Sequence, residues 1–129
     1  GAAYGRMGII LGFLKPKVNF VGFEFIAERV NEGNRIYKHL NLKNCQLKEI
    51  DVATQDFELE PAELYFVYDF GSKKDVIETL EKLRKISLQK PIKVIARGRG
   101  IKNWIYQNSP WLYDINPQVH FENWSLFQS

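Results

Sequence analysis

Apolar positions along the chain alternate between a helical spacing of three or four and the tight runs of strands. Met7, Ile10, Leu11 and Leu14 follow the rhythm of one helical face, and Lys15-Pro16-Lys17 ends that helix. Val18 to Phe23 reads as a buried strand that delivers Glu24 at its C-terminal end. A second helix follows with Ile26, Val30, Gly33, Tyr37 and Leu40 on its apolar face. After a turn at Asn41 to Asn44, Cys45 to Ile50 predicts a strand ending at Asp51. Leu64-Tyr65-Phe66-Val67-Tyr68 is the strongest strand signal, with Asp69 just past it. Ser72 or Asp75 begins a helix carrying Val76, Ile77, Leu80, Leu83 and Ile86. Pro91 to Ala96 predicts another strand, Ile101 to Gln107 a short helix, and the alternating tail Val119 to Phe127 a final strand.

Strands separated by helices mean βαβ units and a mostly parallel sheet, which binds ligands at the C-terminal ends of its strands. Glu24, Asp51 and Asp69 each fall at such an end. One acid there is an ordinary turn residue, but three in succession on one edge point to a site. The small-residue stretch Gly1-Ala2-Ala3-Tyr4-Gly5-Arg6-Met7-Gly8 opens the first helix. Free backbone N–H groups and the helix dipole favour a negative or polar ligand group there, and small side chains let it approach the main chain. Glu24 follows after about 20 residues, at the place where a carboxylate accepts ribose hydroxyls.

Composition narrows the class. With 129 residues, 45% of them hydrophobic, the chain can bury a core without disulfide or metal staples, and without repeats or linkers it is expected to form one domain over residues 1–129. The single cysteine, Cys45, lies in an apolar stretch and is expected as a buried, reduced thiol. No apolar run approaches the ~18 residues needed to cross a bilayer, and no signal peptide is visible, so a soluble, cytoplasmic protein without membrane contact is expected. A net charge of +3 fits an anionic partner or simply a solvated surface; its densest stretch is Lys90, Lys93, Arg97, Arg99 and Lys102. Arg97-Gly98-Arg99 follows a strand on the ligand edge, where it would clamp a phosphate or carboxylate or form a solvated turn. Trp104, Trp111 and Trp124 would stack on a flat substrate or pack in the core. Neither His39 nor His120 has a partner at ligand spacing, so no metal is expected.

Over nearly its whole length the chain resembles the class I S-adenosylmethionine (SAM)-dependent methyltransferases. Their first motif reads acid-x-Gly-x-Gly-x-Gly, and Gly1-Ala2-Ala3-Tyr4-Gly5 matches from its first glycine onward. The resemblance implies that Gly1, Ala3 and Gly5 wrap the methionine part of SAM. Phe20-Val21-Gly22-Phe23-Glu24 is similar to the second motif, which implies that Glu24 holds the SAM ribose. Glu49-Ile50-Asp51-Val52 is similar to the third, so Asp51 and Val52 would flank the adenine. Leu64 to Gly71 sits where the fourth motif borders the transferred methyl, which puts Tyr68 and Asp69 in the catalytic position. The segment Gly22 to Leu40 is also similar to the cofactor-binding stretch of histone-lysine methyltransferases of this fold, a likeness too short to assign a substrate. The implied fold is a Rossmann-like, doubly wound α/β sheet, mostly parallel, with an antiparallel C-terminal strand. The implied activity is methyl transfer to a protein, nucleic-acid or small-molecule acceptor.

Two departures stand out. Ala3 replaces the middle glycine of the first motif. The first, central strand of the fold and its terminal acid are missing from this chain, so an upstream segment of the parent chain is expected to supply them. Two alternatives use the same residues: an NAD(P)-dependent oxidoreductase, because the loop and Glu24 are one substitution from the dinucleotide fingerprint, and a non-catalytic SAM-fold binding or scaffold module.

Overall fold

The computed structural model describes residues 1–54, 57–98, 100–115, 120–121 and 124–129. The chain forms two compact units, Gly1–Phe57 and Glu58–Ser129. In the first, helix α1 (Arg6–Leu14), strand β1 (Phe20–Glu24), helix α2 (Ala27–His39) and strand β2 (Cys45–Glu49) follow in order. β1 and β2 run parallel, with Phe20 opposite Cys45 and Glu24 opposite Glu49. Val30, Tyr37, Leu42, Cys45 and Leu47 form the core, with Ile9, Phe20 and Leu40 packed against it. Phe57 closes this unit from its end, edge-on to Phe23 with ring centroids 5.1 Å apart.

The apolar stripe expected on the first helix is not what α1 buries. Ile10, Phe13 and Leu14 are exposed, and the buried residues are Gly8 and Gly12. These glycines lie four apart, on one face, and let the backbone approach α2 and β2 closely. Tyr37 and Phe20 fill the space over Gly8, and Leu42 and Cys45 the space over Gly12. The apolar residues fit a helix pattern whichever way it is turned; the closest contacts go to the face with no side chains.

β2 is an edge strand, and α2 protects it. Asn34 donates from Nδ2 to the Leu47 carbonyl at 2.9 Å and accepts the Leu47 N–H at 2.8 Å. One side-chain amide thus satisfies both backbone groups that Leu47 turns away from β1, as a neighbouring strand would. β1 has β2 as its strand partner, and its other edge pairs with no strand among the described residues.

The second unit contains β3 (Leu64–Tyr68), α3 (Lys73–Ser87), β4 (Lys93–Arg97), α4 (Ile101–Asn108), β5 (Tyr113–Asp114), β6 (His120–Phe121) and β7 (Trp124–Gln128). Its sheet has the order β3-β4-β7-β5, with β3 parallel to β4 and β7 antiparallel to β4. The antiparallel last strand expected from the sequence is therefore present, but the tail is not one strand. β6 and β7 pair antiparallel, Phe121 opposite Trp124, so the chain reverses inside the alternating stretch. Alternation reports the pleat and carries no sign of a reversal. Val119, Glu122 and Asn123 lie outside the described residues.

α3 starts at a capping box that uses both residues singled out for its start. The Ser72 N–H donates to Asp75 Oδ2 at 2.6 Å, while the Asp75 N–H points back to Ser72 Oγ at 3.4 Å. The Ser72 backbone and hydroxyl hold the Asp75 carboxyl below its ordinary range. Val76, Leu80 and Leu83 of α3 and Ile101 and Ile105 of α4 share one core with Val67, Val94, Ala96 and Phe127 of the sheet. By the pleat, Leu64, Phe66 and Tyr68 of β3 point to the opposite face, and all three are exposed. β3 too has one edge without a strand partner among the described residues.

The packing of α1 gives a sharp expectation. Replacing a helical glycine by alanine ordinarily adds about 1 kcal/mol of stability. A Cβ on Gly8 would run into the Tyr37 hydroxyl and stand 2.6 Å from Phe20 Cδ1. Gly8→Ala is expected to cost about 2 kcal/mol net, read as a lower urea midpoint. A midpoint equal to or above the parent's would show that α1 does not pack through its glycines.

Candidate functional site

The first unit builds its site from the turn before α1 and the end of β1. Gly1 to Gly5 form a tight turn closed by the Gly5 N–H donating to the Ala2 carbonyl at 2.9 Å. The Ala2 N–H donates to the Phe23 carbonyl at 2.7 Å, which ties the turn to the last residues of β1. Glu24 completes the tie. It is only 3% exposed, its Oε2 accepts the Ala3 N–H at 2.8 Å, and its Oε1 accepts the Ile26 N–H at 3.2 Å. The Arg29 guanidinium lies 3.8 Å from Oε1. A buried carboxyl without such partners would cost several kcal/mol. Two backbone donors and a nearby cation offset that cost, and each carboxyl oxygen retains acceptor capacity for a further hydroxyl.

Ala3 stands at the middle-glycine position of the motif and takes a left-handed φ of 47°. The backbone therefore keeps the conformation a glycine would supply, at a cost of about 1 kcal/mol. Gly5, with φ 73°, stands at the N-cap of α1. No side chain caps that helix and its first turn holds no acid, so its leading N–H groups face the turn without a protein carboxylate. The cradle suits a polar or anionic group of a small ligand.

Two residues outside the predicted set lie against this turn. Tyr37 reaches under the turn from α2 and donates its hydroxyl to the Gly5 carbonyl at 2.7 Å. Burial, and then the neighbouring Cys45, push its phenol well above the ordinary range, so it remains a donor. Arg29 lies beside Glu24 and over the Tyr4 ring, 5.9 Å from its centroid. A signal for Tyr37 existed in the sequence: Gly5 and Gly8 leave a gap that only a large side chain fills. Nothing comparable marked Arg29. Cys45 is the buried thiol expected, donating to the Gly8 carbonyl at 3.1 Å, with its pKa raised by burial.

The third predicted position follows β2. The Ile50 N–H donates to the Glu24 carbonyl at 3.0 Å, which carries the β1–β2 pairing one step past the strands and sets Asp51 and Val52 just beyond it. Asp51 is exposed and closes its own turn, with Oδ1 accepting the Ala53 N–H at 2.9 Å. An open depression of about 380 Å³ is lined by Asn34, Tyr37, Lys38, Asn41, Leu42, Lys43 and Cys45. It contains none of the predicted site residues.

In the second unit, Tyr68 and Asp69 end β3 next to Arg97, which ends β4. The Asp69 N–H donates to the Arg97 carbonyl at 3.1 Å, and the Asp69 side chain stands against Gly98, whose φ is 127°. The Arg97 guanidinium lies over the Tyr68 ring, 5.2 Å from its centroid. Arg99, the other arginine of that turn, lies outside the described residues. Among the described residues no group of three or more His, Cys, Asp or Glu could hold a metal ion, and no helix is long and apolar enough to cross a membrane.

Loop geometry has an immediate consequence. Ala3→Gly removes the left-handed strain, and the unfolded chain's greater freedom returns part of the gain. A net stabilisation of about 0.5–1 kcal/mol is expected by chemical denaturation. A destabilised glycine variant would show that the turn does not hold Ala3 at positive φ.

No family model matches the sequence, and no curated protein does so significantly. Solved structures do match. An rRNA methylase from Streptococcus thermophilus is 17% identical with a TM-score of 0.58, covering 99% of this chain and 81% of its own. A ribosomal protein L11 methylase from Lactobacillus delbrueckii subsp. bulgaricus is 14% identical with a TM-score of 0.65, covering 99% of this chain and 65% of its own. The N-terminal domain of human METTL16, solved with S-adenosylhomocysteine (SAH), is 11% identical with a TM-score of 0.57, covering 99% of this chain and 58% of its own. The fold is that of the class I SAM-dependent methyltransferases, mixed α/β and Rossmann-like.

Proposed function

We propose that residues 1–129, taken as one SAM-binding domain, bind S-adenosylmethionine and serve methyl transfer to an acceptor. The observation that carries this reading is the buried Glu24, held by the Ala3 N–H at the mouth of an uncapped helix. The donor set fits the cofactor: a carboxyl with spare acceptor capacity suits a ribose diol, and the turn's small residues leave its backbone approachable. Neighbours of the same fold include methylases and a structure solved with SAH, which supports the same choice.

In this reading Gly1, Ala3 and Gly5 wrap the methionine part, Glu24 accepts the ribose hydroxyls, and Asp51 and Val52 flank the adenine. Asp51 keeps its second oxygen for an exocyclic amine, because its first is used in the local turn. SAM supplies a methyl group already activated on a sulfonium. The chain's task is then to hold the two reactants in line and exclude water, which requires no metal. Tyr68 and Asp69, at the end of β3, are the residues assigned to the acceptor side.

Glu24→Ala tests the assignment. Loss of charge-assisted hydrogen bonds to the ribose is expected to weaken SAH binding by about 1.5–3 kcal/mol in calorimetry. Glu24 also braces the turn, so Glu24→Gln serves as the companion variant: it keeps the shape and an acceptor oxygen, and it should retain part of the affinity. Unchanged affinity in both variants would remove Glu24 from the cofactor site.

A further inference from the structure

We propose that Tyr37 is a positioning residue for the amino-acid end of the cofactor: its hydroxyl fixes the Gly5–Arg6 peptide so that the Arg6 N–H faces the ligand. This assignment rests on the SAM-binding reading above and adds a residue to the same site. The turn before α1 is held from two sides. The end of β1 holds its front half, through the Ala2 N–H on the Phe23 carbonyl and the Ala3 N–H on Glu24. Its back half is tied from α2 by the Tyr37 hydroxyl, which donates to the Gly5 carbonyl at 2.7 Å. The helix's own hold on that carbonyl is weaker, because the Ile9 N–H reaches it at 3.3 Å. Gly5, at φ 73° and ψ 28°, is the residue type least able to fix its own peptide plane. The tyrosine supplies the restraint.

Packing alone does not require the hydroxyl. The Tyr37 ring stands edge-on to Phe20, with centroids 6.5 Å apart, and its far end lies over Gly8. Phenylalanine would keep the ring contact without burying a hydroxyl, which is costly unless the hydroxyl is bonded. Tyr37 is buried, and what its oxygen adds is direction. In a trans peptide the C=O and N–H point opposite ways, so a Gly5 carbonyl drawn down to Tyr37 sends the Arg6 N–H away from the core. Arg6 is the first residue of α1, whose leading N–H groups no side chain caps. Burial, and then the neighbouring Cys45, push the phenol well above its ordinary range, so the donor persists at neutral and mildly alkaline pH. Glu24, on the front half of the turn, takes the ribose, and the methionine part lies along the back half at Gly5. The two ties thus act on different ends of one ligand.

Calorimetry on the full chain with SAH and with methylthioadenosine tests the assignment, because the second ligand keeps the adenosine and thioether but lacks the amino-acid end. Tyr37→Phe removes one oxygen and keeps the ring. It is expected to weaken SAH binding about fivefold, the scale of one buried hydrogen bond, and methylthioadenosine binding by less than about twofold. Glu24→Ala is expected to weaken both ligands together, since both carry the ribose. Leu42→Ala loosens the same core over Gly12, away from the turn, and is expected to leave the ratio of the two affinities unchanged. In heteronuclear NMR of the parent protein, the Arg6 amide is expected to shift on addition of SAH and to shift less with methylthioadenosine. Equal loss of both ligands in Tyr37→Phe, loss of neither, the same change of ratio in Leu42→Ala, or an Arg6 amide indifferent to SAH would each overturn the positioning role. SAH binding to the parent with an unchanged ratio in Tyr37→Phe sinks that role alone, and absent SAH binding in the parent sinks the SAM reading itself.

Discussion

The hydrogen bond from the Ala3 N–H to the buried Glu24 carboxyl fixes the rest of the first unit. A carboxyl that is only 3% exposed must find donors, and the turn before α1 supplies one while β1 supplies its position. Once the turn is tied there, its residues have little freedom: Ala3 goes left-handed and Gly5 follows at the helix cap. α1 then leaves the turn in a direction that brings its backbone against Tyr37, whose hydroxyl secures the Gly5 carbonyl from below. The same carboxyl that would read a ribose also shapes the cradle for the rest of the ligand.

Close backbone approach is the second theme of this unit, and Leu47 shows why. Its side chain sits where a Cβ on Gly5, Gly22 or Gly33 would intrude; the first would be 3.2 Å from Cδ1 and the second 2.6 Å from Cδ2. The turn, β1 and α2 thus converge on one leucine of β2, and each meets it with a glycine. Such packing leaves few alternatives of equal volume, which makes the turn's conformation a property of the unit and not of the turn alone. The exposed Ile10, Phe13 and Leu14 follow from the same geometry: the glycine face wins the interior position.

Much of this was legible in the sequence because strand ends and helix starts carry their own chemistry. β3 matches its apolar run residue for residue, and the Ser72 and Asp75 signals proved to be two halves of one cap. The position of Glu24 at the end of β1 followed from the strand pattern. What escaped were features that depend on which face packs. An apolar stripe gave the helix α1 but not its orientation, since glycines leave no mark in a hydrophobic pattern. Asn34 carries no signal in the hydrophobic pattern, yet it replaces a strand at the edge of β2. The hairpin of β6 and β7 hid inside an alternation that a single strand would also show.

The proposed SAM site and a dinucleotide site would use the same turn and Glu24, and Ala3 stands where the dinucleotide fingerprint has its first, turn-forming glycine. Calorimetric titration of the protein with SAH and, separately, with NAD and NADP separates the two most directly. SAH is expected to bind, with both dinucleotides at least a hundredfold weaker, about 2.7 kcal/mol in binding free energy. Dinucleotide binding equal to or tighter than that of SAH would contradict the account.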